Sequence, residues 1–385
     1  MDLVDWILLL ARVVIVFAVL LVLVMVEVWA ERKVVADMQT RLGPTRAGPF
    51  GMLVTLADGI KLFFKEGITP KEADRPVYAL APIASLIPAI LAFAVVPFGT
   101  EIELFGRTIP FQIADLNVGV LFFLAMGSLA IYGVVLAGWS SGSAYPLLGG
   151  IRSAAQMISY EVGMGLGVAA VLMYTGTMRM SEIVAAQDRI WNIIPQFPAF
   201  LIFGYAALAE ANRPPFDLPE SETELVAGYH TEYSGIRFAM FFLAEYLHLI
   251  TISAVAATLF LGGWRGPIFD FLPWLWPLLW FSLKVAALIF VFFWIRATIP
   301  RIRYDRLMNF GWKVVIPWGL VWILATGAIV VLPDVLGRDT IFRTVAIAAG
   351  VALAASLVAP MFSRKKPAEA AVGSVPAEPP PEVRR

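Results

Sequence analysis

Apolar residues fall in nine long runs, near residues 6–29, 78–98, 118–139, 153–175, 197–212, 237–261, 276–298, 312–332 and 341–362, and the stretches between them gather most of the charge. A helix needs about 20 apolar residues to cross the hydrocarbon layer. Eight of the runs therefore read as core membrane spans and the last as a ninth; the fifth is short. A different pattern sits in the first connection. In "FGMLVTLADGIKLFFK", Leu53, Leu56, Ala57, Ile60, Phe63 and Phe64 recur at helical spacing, while Thr55, Asp58, Lys61 and Lys65 fall on another face. This segment is too short to span and is expected to lie as an amphipathic helix in the interface plane; an ordinary surface helix packed on its neighbours fits it equally. The predicted architecture is an all-α, polytopic membrane helix bundle over residues 1–362. Residues 363–385 are rich in Pro, Ala and Glu, with too few apolar side chains to offset ordering entropy, and read as a disordered cytoplasmic tail.

The cations are distributed unevenly between connections. The odd ones hold Arg32, Lys33, Arg41, Arg46, Lys61, Lys65, Lys71 and Arg75, then Arg152, then Arg213, then Arg301, Arg303, Arg306 and Lys313. The even ones hold only Arg107, Arg179, Arg189, Arg265 and Arg338. Positive charge prefers the cytoplasmic side, so the odd connections face inward and the N-terminus lies outside. No basic leader precedes a small-residue cleavage site, and the first run is read as a retained span.

Composition narrows the chemistry. With 59% hydrophobic residues among 385 and a mean hydropathy of +0.79, the chain has more apolar surface than one soluble core can hide. The absence of cysteine excludes disulfides and any cysteine-ligated iron–sulfur cluster on this chain. His230 and His248 are the only histidines, too few for a haem or metal cluster, and the zero net charge gives no footing for nucleic acid. Electrons for any redox reaction must come from another chain.

Ionisable residues inside the runs are expensive and usually face protein or water. They are Arg12, Glu27, Glu161, Glu210, Glu245 and Lys284. Placed by the run boundaries, Glu161 and Glu245 share one depth and Glu210 sits at an inside end, so the three are expected to form a chain. Arg12 and Lys284 fit snorkelling or structural pairing as well as a path. Buried carboxylates bind protons more tightly than exposed ones, which suits them to proton transfer near neutral pH. Near Glu161, Gly163 and Gly167 stand four apart and favour close helix approach. After the fifth run, "EANRPPFDLPESETELVAGYHTEYSG" holds Glu210, Asp217, Glu220, Glu222, Glu224 and Glu232 against the single Arg213. Helix capping by Ser221 to Glu224 accounts for some of these acids. The whole set suggests sites that share fewer protons than their number, or a cation attractor.

Five motifs carry a resemblance: "ERKVVADMQTRLGPTRAGPFG", "LADGIKLFFKE", "AQMISYEV", "AEANRPPFDLPESETELVAGYHTEYSG" and "WIRATIPRIRYDRLMNFGWK". In order, from the first span to the eighth, the chain resembles the H-type membrane subunits of bacterial NADH-quinone oxidoreductase, respiratory complex I, the family of mitochondrial NADH dehydrogenase subunit 1. The resemblance implies a multi-pass subunit of the bacterial inner membrane that helps form a quinone chamber beside the soluble arm. NADH, FMN and iron–sulfur clusters belong to partner subunits, quinone is the substrate, and the chain itself carries no redox cofactor or metal. By motif position, Glu161, Glu210, Asp217, Glu220, Glu222, Glu224, Glu232 and Glu245 would form the proton path and coupling row. Glu31, Arg32, Gln39, Arg41, Asp58, Lys61, Phe63, Arg213 and Arg296 would serve the quinone chamber, with Arg213 and Asp217 also ordering the loop. The tail and the ninth span fall outside what the resemblance covers functionally. The equivalent subunit of a membrane-bound hydrogenase, an autonomous cation or proton transporter, and a passive anchor for a soluble dehydrogenase remain as rival readings.

Overall fold

The computed structural model describes residues 3–104, 107–217 and 226–336. The chain divides into two units, Met1–Gly327 and Ala328–Arg385, and of the second only the stretch to Leu336 is described. The ninth run, the tail, and Glu220, Glu222 and Glu224 with their predicted capping box lie outside the described residues.

Among the described residues, seven helical stretches are long and apolar enough to cross a membrane. They are α1 (Leu3–Met38), α3 (Arg75–Phe93), α4 (Gly119–Ser140), α5 (Ala144–Thr175), α8 (Gly235–Phe260), α9 (Leu275–Thr298) and a composite of α10 (Tyr304–Phe310), a π-helical turn (Gly311–Val315) and α11 (Ile316–Leu336). The short fifth run forms α7 (Phe197–Glu210), giving the eighth core element. Between α1 and α3 lies α2 (Val54–Phe64), which follows a 3-10 turn at Pro49–Gly51. The turn is fastened to α1 by the Trp29 indole N–H, which donates to the Phe50 carbonyl at 3.0 Å, and α2 by an Arg32–Asp58 ion pair at 2.9 Å.

Several boundaries differ from the hydropathy pattern. The first helix does not stop near residue 29. It continues to Met38, so Glu31, Arg32 and Lys33 are helical and not in a connection. Hydropathy ends where the charges begin, but "VWAERKVVADM" holds no Gly or Pro to break the helix, and Val28, Glu31 and Ala36 stay buried. Similarly, α5 begins at Ala144 and takes in Arg152. Pro146 is tolerated there because it falls in the first turn, and the small Gly149 and Gly150 lie buried beside it. Glu161 is consequently midway along a 32-residue helix. Arg306 and Lys313 also sit in helical backbone. A hairpin of β1 (Ile102–Leu104) and β2 (Arg107–Ile109), pairing Ile102 with Ile109, and the short helix α6 (Met180–Ala186) have no counterpart in the predicted elements.

The core holds Phe123, Tyr160, Met164, Phe203, Leu247 and Phe260, all nearly inaccessible. Small residues let the helices reach that density. A Cβ on Gly167 would stand 3.1 Å from the Ala199 carbonyl oxygen of α7, and one on Gly163 would stand 2.9 Å from Val315 in the π turn. The two glycines thus serve two different neighbours.

Candidate functional site: a buried cluster of carboxylates and arginines

The acidic connection is built from the end of α7. Glu210 closes that helix, and the following turn is clamped by Gln156 of α5, whose amide donates to the carbonyls of Ala209 at 2.7 Å and Phe216 at 2.9 Å. Asn212 adopts a left-handed conformation, with φ of 49°. The residues that follow reach α1 and α8 through Arg213 and the segment after α9 through Pro215 and Asp217.

Arg213 becomes the centre of the site, only 7% exposed. Its Nε lies 2.8 Å from Glu245 Oε1 on α8, and its Nη1 lies 3.3 Å from both carboxylate oxygens of Glu31 on α1. The guanidinium stacks 3.9 Å above the Tyr246 ring centroid. Burial works against the Arg213 charge, but Glu245 and Tyr246 outweigh it and hold the guanidinium above its ordinary range. Glu31 also accepts the Tyr246 hydroxyl at 2.6 Å and pairs with Arg296 of α9. Asp217, 4% exposed, faces Arg301 Nη2 at 3.3 Å. Tyr246 and Arg301 thus belong to the cluster, although the sequence marks neither as a site residue.

A second group adjoins this one. Glu210 is 2% exposed, with Oε1 3.3 Å from His248 Nε2. Gly127 of α4 makes room for it, since a Cβ there would sit 3.1 Å from Glu210 Oε1. A cavity of about 50 Å³ lies among Glu210, Asn212, Glu245, His248 and Ser85. Roughly 10–15 Å³ suffices for one water molecule where polar partners surround it, so this space has room for a water bridge between Glu210 and Glu245. Glu161 hydrogen-bonds the Ser128 hydroxyl of α4 and lies within electrostatic reach of Glu210 and His248. Of the three glutamates expected to form a chain, Glu210 and Glu245 line one cavity with His248, and Glu161, bonded to Ser128, lies within electrostatic reach of Glu210.

The other expected residues are spread more widely. Arg32, Asp58 and Lys61 form a surface triad with two 2.9 Å contacts; partial burial of Asp58 opposes its charge, yet the bonds from Lys61 and Arg32 prevail and hold it below the usual carboxylate range. Gln39 and Arg41 stand exposed just beyond α1, and Phe63 is exposed on α2, its ring edge-on to Phe64. Glu232 is tied down through its backbone, whose carbonyl accepts the Tyr78 hydroxyl at 2.7 Å. Between α1 and α2 an apolar crevice of about 190 Å³ is lined by Val22, Met25, Val26, Trp29, Met52 and Leu56. A larger cavity, about 420 Å³, lies near Trp191, Trp264 and Arg265, at the opposite ends of α7 and α8 from Arg213.

Two charges in the spans are tied to backbone carbonyls. Lys284 donates to the carbonyls of Leu261, Gly263 and Arg265 at 2.7–2.9 Å, and Arg12 to those of Pro110 and Gln112 at 3.3 Å.

A family model described as NADH dehydrogenase matches residues 11–327, a range that contains every member of the cluster from Glu31 to Arg301. The chain belongs to that family. It is also similar to the NADH-quinone oxidoreductase H subunit of Frankia casuarinae, 56% identical over 324 residues that make up 83% of this chain and 72% of the relative. Membership agrees with the all-α polytopic bundle and with the motifs quoted above.

Of the site residues not anticipated, His248 alone offered a sequence signal: it is one of two histidines and falls one turn after Glu245. Ser128 lies in an apolar run with nothing to distinguish it.

Proposed function

We propose that this chain is the membrane subunit of a proton-translocating NADH-quinone oxidoreductase, and that it couples events at a quinone chamber to a row of glutamates. The observation that carries the reading is Arg213, buried between Glu31 and Glu245 and shared by both. Glu31 belongs to α1, which with α2 borders the apolar crevice; a crevice of that kind suits an isoprenoid tail. Arg32, Asp58, Lys61, Gln39, Arg41 and Phe63 surround the approach from the cytoplasmic side, and Arg296 links it to Glu31.

Reduction of a quinone draws protons and changes the local charge. Two unit charges 4 Å apart interact by about 4 kcal/mol at an effective dielectric of 20. A charge change beside Glu31 therefore redistributes Arg213 between its two partners. When Arg213 leans toward Glu31, Glu245 loses its cation and takes a proton. That proton passes through the cavity to Glu210, whose partner His248 orients it, and on toward Glu161 and Ser128. Asp217, Glu220, Glu222, Glu224 and Glu232 supply protons from the cytoplasmic connection. NADH, FMN and iron–sulfur clusters act on partner subunits, and the N-terminus faces outward.

Glu210→Gln in the assembled complex tests this. In inverted membrane vesicles, NADH-driven proton uptake should fall about tenfold or more, the equivalent of 1.4 kcal/mol at a transfer barrier, while assembly is retained. Unchanged coupling would favour the passive anchor, and proton transport by the isolated chain in liposomes would favour the autonomous transporter.

A further inference from the structure

α1 carries a second buried carboxylate that the coupling row does not use. Glu27 precedes Glu31 by four residues, one helical turn, and so shares its face. It is 5% exposed, and neither of its carboxylate oxygens has a hydrogen-bond partner among the described residues. An ionised carboxylate left in that condition is costly. Arg213 and Glu245 lie within electrostatic reach of it, and Arg213 Nη2 also lacks a hydrogen-bond acceptor among the described residues.

The surrounding charges of the described residues do not balance. The buried carboxylates facing this space are Glu27, Glu31, Asp217 and Glu245. The cations are Arg213, Arg296 and Arg301, and they pair with Glu31, Glu245 and Asp217. On α8, the neutral Tyr246 hydroxyl donates a hydrogen bond to Glu31, and His248 faces Glu210 as well as Glu245. On the α2 side, Arg32, Asp58 and Lys61 satisfy one another at the surface. Glu210 is set apart by its own partner, His248; among the other four the carboxylates outnumber the arginines by one, and Glu27 is the one with neither a hydrogen bond nor an ion pair among the described residues.

We infer that Glu27 holds the odd proton of the cluster and acts as a neutral proton donor beside Arg213, not as a further ion-pair partner. The inference rests on the coupling reading above. When Arg213 leaves Glu245, one O–H bond breaks on Glu27 and one forms on Glu245, and the ionised Glu27 then takes the unused Nη2 of Arg213. Net charge within the cluster is unchanged, and no oxidant or metal is needed.

The test is redox-difference infrared spectroscopy on the assembled complex, oxidised and then reduced with NADH, together with the proton-to-electron ratio in vesicles. The wild type should lose a protonated-carboxyl C=O band on reduction, and Glu27→Gln should lack that band and pump at a lower ratio. Glu27→Asp should keep the band at a shifted frequency, which keeps the test decisive should the Gln variant fail to assemble. A band that persists in Glu27→Gln, or one unmoved in Glu27→Asp, overturns the inference, as does an unaltered pumping ratio in Glu27→Gln. The two readings separate cleanly. If Glu210→Gln abolishes pumping while Glu27→Gln pumps normally, only this inference falls; if Glu210→Gln is silent, the relay falls.

Discussion

Arg213 satisfies two carboxylates and covers an aromatic face, so its replacement acts on several groups together. Arg213→Leu leaves Glu31 with Arg296 alone and Glu245 without its cation, and breaking a buried pair in this way costs about 3–5 kcal/mol. Thermal unfolding of the purified complex, or its yield in membranes, should register that loss. Arg213→Lys keeps the charge but forfeits the fork and the stacking on Tyr246, and should fall between. A gentler probe is Gly127→Ala. Its new methyl would press on Glu210 Oε1, so NADH:quinone turnover should drop severalfold with little change in stability, whereas Gly165→Ala, which meets nothing within 4 Å, should be neutral. Glu161, Glu210 and Glu245 were legible from the sequence because charge in an apolar run is conspicuous, whereas Glu31 came only with the motif resemblance. Their partners were not. Tyr246 and Ser128 are ordinary residues of apolar helices, and only tertiary packing brings one to Glu31 and the other to Glu161.

The elements were legible wherever hydropathy and helix coincide, and misread where they part. Hydropathy reports burial in lipid, so it lost α1 at Glu31 and α5 before Ser153, although both helices run on through polar residues. The same limitation hid α6 and the β1–β2 hairpin, which are too short for a periodic signal. Close packing of α5 on α7 makes Gly167→Val a specific test: the side chain would meet the Ala199 carbonyl and the Phe203 backbone, at a cost of about 1–3 kcal/mol read as a lower unfolding temperature. The turn between α7 and α8 carries its own pH dependence. His230 lies against the Tyr229 and Phe238 rings, and burial pushes it from 6.5 down to about 4. Its imidazole stays neutral when folded but gains a proton on unfolding between those two values. Stability of the turn is therefore complete above the unfolded value, falls as pH drops from 6.5 to about 4, and levels off below, by about 2 kcal/mol after allowance for partial solvent access. Amide hydrogen exchange at residues 226–235, corrected for intrinsic rates, should quicken across that window, and His230→Phe should remove the dependence.

At the scale of the whole molecule, the sequence motifs pointed to the family and the family match bears them out, while the set of residues that meet around Arg213 emerges only from coordinates. α1 contributes Glu27 and Glu31, α5 contributes Glu161, and α8 contributes Glu245 and His248; residues far apart in the chain become neighbours because Gln156 pins the turn that carries Arg213. That unbroken first helix has a mechanical consequence. At 36 residues it is about 54 Å long, against a hydrocarbon layer of about 30 Å. A rod of this length must lean when the bilayer thins, and its lean displaces Glu27 and Glu31 relative to the arginine they share. Lipid chain length thus becomes a dial on the enzyme: reconstitution in short-chain and long-chain phospholipids should alter proton yield per electron more than it alters electron flow.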